Sequence, residues 1–126
     1  MSEFNIQREA IIEIVGTQYD GREKNHAHLQ LNQKLLMQHQ KNNPHDKNAV
    51  LILTEDGLAL GYIPKGQASL YAPAIDSNKY HFVVEIVKTE PDQQRPILII
   101  KILAELKNVS EEAIEKNLVS FVQNYK

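Results

Sequence analysis

The densest run of chemically capable side chains is Asn43-Pro44-His45-Asp46-Lys47-Asn48. It places amides, an imidazole, a carboxylate and an ammonium side by side. Pro44 fixes its own φ and holds Asn43 extended. Such a loop can present Asp46 as a preset hydrogen-bond acceptor. Asp46 and Asn48 can equally turn inward and bond the loop's own backbone, as Asx turns do. Residue chemistry alone leaves those two uses even. A second candidate is His26-x-His28, which could set two imidazoles on one face of a strand. No Asp or Glu falls at a ligand-like spacing on that strand, and the chain has no cysteine, so solvated loop histidines and no metal are expected. Ser2, Ser69, Ser77, Ser110 and Ser120 all lack a glycine-flanked elbow, and no dinucleotide or P-loop glycine pattern occurs. The expectation is a binding domain, not an enzyme, with no cofactor.

The elements that must hold these residues read as mainly β. Ala10 to Val15 is β-branched, ends at Gly16 and carries apolar side chains on both faces, which predicts a central strand. Asp20 to His28 is polar and predicts a long exposed loop. Lys34 to Gln38 alternates around Leu35 and Met37 as a strand. Asn48 to Thr54 and Leu58 to Ile63 form a hairpin around Glu55-Asp56-Gly57, where Asp-Gly would supply positive φ angles. Gly66 to Asp76 has helical spacing in Ala68, Tyr71, Ala72 and Ile75, but Pro73 predicts a short, kinked or split helix. Tyr80 to Val87 and Pro96 to Leu103 are two more strands. About six strands around one helix suggest a small barrel of OB or SH3 type. Val50, Ile52, Leu60, Val84 and Ile100 lie in the strongest patterns and should share its core. Ser110 is a good N-cap, and Ile114, Leu118, Phe121, Val122 and Tyr125 continue as one apolar stripe, predicting an amphipathic C-terminal helix over about 110–125.

The chain of 126 residues suits one domain, with its core over about 10–103. Its net charge is −2 with histidines neutral. That argues against broad phosphate neutralisation but allows a site for one nucleotide end. No charged leader precedes an apolar stretch, and no apolar run approaches a membrane span. A cytoplasmic location with no membrane partner is the expectation.

Val15-Gly16-Thr17-Gln18-Tyr19, the Asn43-Pro44-His45-Asp46-Lys47-Asn48-Ala49-Val50 run, Gly61-Tyr62-Ile63-Pro64-Lys65 and Leu70-Tyr71-Ala72-Pro73-Ala74-Ile75-Asp76 occur in this order. Together they resemble the signature of HIRAN domains, here as a stand-alone HIRAN-like chain. The resemblance implies an OB-like barrel. Studied HIRAN domains sit in helicase-like DNA-remodelling proteins and bind the 3′ end of single-stranded DNA, which implies a DNA-repair setting. It further implies that Asp46 accepts the terminal 3′-hydroxyl, Asn43 contacts a base or the backbone, Tyr19 stacks on a base and Lys65 meets a phosphate. Gln18, His45 and Tyr62 complete the implied site. They stand where DNA-binding members carry Arg, Tyr and His respectively, and His39-Gln40-Lys41 replaces an Arg-Glu-Pro stretch of bacterial relatives. The alternative is a protein-interaction domain that has lost DNA and uses its helix stripe, or Tyr71 and Tyr80, as a contact surface.

Overall fold

The computed structural model describes residue 4 and residues 6–107. The strands are β1 (Glu9–Glu13), β2 (Lys34–His39), β3 (Val50–Thr54), β4 (Ala59–Tyr62), β5 (Tyr80–Glu90) and β6 (Ile97–Leu106). One helix, α1 (Lys65–Ser77), follows β4, and a 3-10 turn covers Arg22–His26. The helix expected over 110–125 lies outside the described residues. No helix of the described residues is long and apolar enough to cross a membrane.

The six strands form one antiparallel sheet in the order β1-β6-β5-β2-β3-β4. β5 is long enough to pair with β6 along its length and with β2 through Lys34–Glu85 and Leu35–Val84. A register shift between Ile86 and Lys88 bends it, as an extra residue in a ladder does. The sheet thus curls into a half-barrel. Val50, Ile52, Leu60 and Ile100 are fully buried, and Val84 is nearly so, all in one apolar cluster. The five residues expected in one core therefore meet there.

β1 is an edge strand, not a central one. Ile12 and Ile14 face the core, whereas Ile11 is 59% exposed. Its two-faced apolar pattern reflects tolerated surface isoleucine rather than double burial. Just after β1 the chain crosses to the opposite edge. Val15 and Tyr62 exchange both backbone hydrogen bonds, at 2.9 and 2.8 Å. Gly61 permits this approach: a Cβ there would lie 2.6 Å from Ile14 Cγ2 and 2.7 Å from the Val15 carbonyl oxygen.

Two turns also differ from expectation. In the β3–β4 hairpin only Gly57 has positive φ, and its amide bonds the Thr54 carbonyl at 2.9 Å. A three-residue loop ending in one left-handed residue needs nothing unusual of Asp56. α1 is a single helix of 13 residues that passes through Pro73. Pro73 and Ser69, whose carbonyl loses its donor, both lie on the exposed face, where water can satisfy it. The other face buries Ala68, Tyr71, Ala72 and Ala74. Tyr71 and Tyr80 are 3% and 8% exposed. They are packing residues, which removes them as a contact surface.

Candidate nucleic-acid interface

The loop between β2 and β3 is organised by Asn43. Its Oδ1 accepts the amides of His45 and Asp46 at 2.9 and 3.1 Å, and its Nδ2 donates to Gln40 Oε1 at 3.1 Å. Asp46 Oδ1 accepts the Asn48 amide at 2.9 Å. Of the two uses left open by the sequence, the backbone-bonding one is seen at Asp46. Asn43 spends its amide on the loop. Asp46 spends one oxygen there, and its Oδ2 takes no hydrogen bond among the described residues.

His39, at the end of β2, braces this loop from behind. Its Nδ1 lies 2.9 Å from Asp76 Oδ2 on α1, and its Nε2 lies 2.7 Å from the Lys47 carbonyl. Both neighbours are acceptors, so the protonated ring satisfies both as a donor. Burial pulls its pKa down, but the Asp76 hydrogen bond, the Lys47 carbonyl and the Asp76 charge outweigh it, with Lys41 opposing, and the net shift is upward.

The segment Asp20 to His28 is not an exposed loop. Its 3-10 turn buries Arg22 and His26. The His26 Nε2 reaches the Leu60 carbonyl at 2.9 Å, and Asn25 Nδ2 donates to the Ala59 carbonyl at 2.7 Å. His26 Nδ1 is buried with no partner among the described residues, which fits a neutral ring donating through Nε2. Burial pushes its pKa down, against the Leu60 carbonyl and Glu23. The turn thus clips onto β4 through side chains whose carbonyl partners lie far along the chain. Arg22 Nε donates to the Gly16 carbonyl at 2.8 Å, and the guanidinium carbon sits 5.2 Å from the Tyr62 ring centroid. Tyr62 in turn donates its hydroxyl to Gln40 Oε1 at 2.7 Å. One chain of contacts therefore runs from Arg22 through Tyr62 and Gln40 to Asn43.

An open groove of about 530 Å³ lies between the two loops. Tyr19, Asn43, His45, Asp46, Tyr62 and Lys65 all line it, together with Val15, Asp20, Arg22, Ala49 and Ile63. Gln18 does not line it, and its Oε1 is buried without a partner among the described residues. Tyr19 is 59% exposed on the rim. Lys65 opens α1, whose N-terminus has no side-chain cap, so the groove's lysine sits at the positive end of a helix. Arg22 and Asp20 are the groove residues that sequence reasoning missed. Their only signal was a charged pair flanking Gly21, which polar loops often contain.

Fold and groove together define a small antiparallel half-barrel whose closing corner carries a groove with both apolar walls and charges of either sign. The sequence profile of the HIRAN domain matches residues 8–107, and the chain belongs to the HIRAN family. HIRAN domains are DNA-binding modules, which places this chain among nucleic-acid-binding modules. The crystal structure of the HIRAN domain of human HLTF has a similar fold, with a TM-score of 0.67 and 19% identity over 89% of this chain and 87% of that one. So does a crystal structure of a protein from Lactobacillus plantarum, with a TM-score of 0.62 and 23% identity over 77% of this chain and 99% of that one. At these identities the likeness is one of fold. No curated protein matches the chain.

Proposed function

We propose that the groove binds single-stranded DNA at its 3′-hydroxyl end. The observation that carries this reading is the convergence of an exposed ring (Tyr19), a carboxylate oxygen with no partner among the described residues (Asp46 Oδ2) and a lysine at a helix N-terminus (Lys65) on one open groove. In this reading Asp46 Oδ2 accepts the terminal hydroxyl, and Oδ1 stays on the Asn48 amide. A hydrogen bond to a charged acceptor contributes about 1.5–3 kcal/mol. Tyr19 stacks on a base, worth about 1–3 kcal/mol, with His45 beside it on the loop. Lys65 and the helix end receive a phosphate. Tyr62 acts on the strand through its ring, because its hydroxyl is engaged by Gln40. Asn43 acts through the loop that it holds, and Gln18 has no direct part.

The test is fluorescence anisotropy on three variants. Asp46→Ala should weaken hydroxyl-ended strands and narrow their preference over phosphate-ended ones. Lys65→Ala should weaken both and flatten the salt dependence by about one phosphate contact. Tyr19→Ala should weaken both and leave the end preference alone, since stacking does not sense the hydroxyl. Equal losses across all three variants with no change in end preference would refute the assignment of roles.

A further inference from the structure

The Arg22 guanidinium is fixed before any ligand arrives. Nε is bonded to the Gly16 carbonyl, and Nη1 lies 3.2 Å from Asp20 Oδ2. The guanidinium carbon packs 5.2 Å from the Tyr62 ring centroid, and the side chain is only 11% exposed. A guanidinium carries five N–H donors, and two of its nitrogens are engaged here. The remaining donors find no acceptor among the described residues. None of its nitrogens is both sealed from water and unpartnered, and Arg22 lines the groove. Spare donors therefore remain accessible on a residue that lines the groove. Its only counter-ion among the described residues, Asp20, is 85% exposed, and such surface pairs hold weakly.

We propose that Arg22 is the groove's fixed phosphate clamp, receiving one phosphodiester of the seated strand as that phosphate displaces Asp20 from Nη1. This rests on the reading of the groove as a single-strand site. A planar fork suits a phosphate. One already immobilised loses little side-chain freedom on binding. Arg22 thereby supplies a cation on the Tyr62 side of the groove, where Gln18 offers none. Lys65 remains the exposed cation.

The test is a linkage scan. Neutral methylphosphonates replace the phosphodiesters of a 3′-hydroxyl oligonucleotide one at a time, and anisotropy is read for wild type, Arg22→Gln and Lys65→Ala. Wild type should lose about tenfold at the clamped linkage. Arg22→Gln should bind the native strand about tenfold more weakly and be indifferent to that same linkage, the non-additivity that marks a direct contact. Lys65→Ala should keep its sensitivity there. If Arg22→Gln retains the wild-type sensitivity at every linkage, Arg22 is a structural residue only, while the groove reading stands. If wild type binds no strand, both proposals fall. Should Arg22→Gln not fold, the wild-type Arg22 Nε–Hε signal in ¹⁵N NMR decides. It should shift with the native strand and not with the strand neutralised at the clamped linkage; no shift with either overturns the proposal.

Discussion

The two loops that face each other across the groove have similar polar compositions and opposite constructions. The 43–48 loop is exposed and satisfied by its own neighbours: Asn43, Asp46 and Asn48 bond within a few residues. The 20–28 segment is pinned into the barrel by His26, Asn25 and Arg22, with carbonyl partners on β4 and at Gly16. One loop presents side chains because its backbone is held mostly by its own neighbours, with His39 bracing the Lys47 carbonyl. The other provides a floor because Asn25 and His26 are spent on β4, which leaves Arg22 in place with donors to spare. Polar composition alone does not separate a presenting loop from a clipped one.

The largest effect that would break this comparison is His26→Ala. It removes a fully buried ring and orphans the Leu60 carbonyl, so urea unfolding should show a loss of about 2–4 kcal/mol. An unchanged midpoint would return the segment to the solvated loop that its composition suggests. Asn43→Ala should cost less, about 1–2 kcal/mol, because the amides it frees lie in a part-exposed loop. Amide hydrogen exchange at His45 and Asp46 should accelerate, and protected amides there would show that Pro44, not Asn43, sets the loop.

Two histidines sharpen the same contrast through pH. Free histidine titrates near 6.5. His26 has a lowered pKa in the fold, so its contribution is complete above about 6.5 and is lost as pH falls through the folded value. His39 has a raised pKa, so its contribution is complete below about 6.5 and is lost as pH rises through the folded value. Ring-proton NMR titrations should place the two on opposite sides of 6.5. His39→Gln should lower stability below about 6.5 and remove the fall on the alkaline side, while keeping the acid-side slope that His26 sets. A His39 that titrates below His26 would contradict the bracing of the loop. The smallest effect is Asp20→Asn, which should leave stability within about 0.5 kcal/mol and tighten strand binding by about two- to threefold. Weaker binding would mean that Asp20 orients Arg22 rather than competing for it.

The strands were legible because alternation and β-branching report burial directly. Val50, Ile52 and Leu60 needed no tertiary knowledge to be placed in the core. The 43–48 loop was legible because its hydrogen bonds are local. What escaped depends on distant partners. His26 and Arg22 look solvated until β4 arrives beside them, and Ile11 looks buried until β1 is found at the sheet edge. Pro73 reads as a break because the sequence does not reveal that Ser69 faces water. Most of the groove's members were found by resemblance, and its floor was not.

The central claim is that Asp46 reads the chemistry of a strand's 3′ end, and one titration tests it most directly. Wild-type protein is titrated at low salt against two otherwise identical oligonucleotides, one ending in a 3′-hydroxyl and one in a 3′-phosphate. The hydroxyl end should bind about ten- to a hundredfold more tightly, because it donates to Asp46 Oδ2 while the phosphate brings negative charge against it. Equal affinities, or no binding of either strand, would contradict the account.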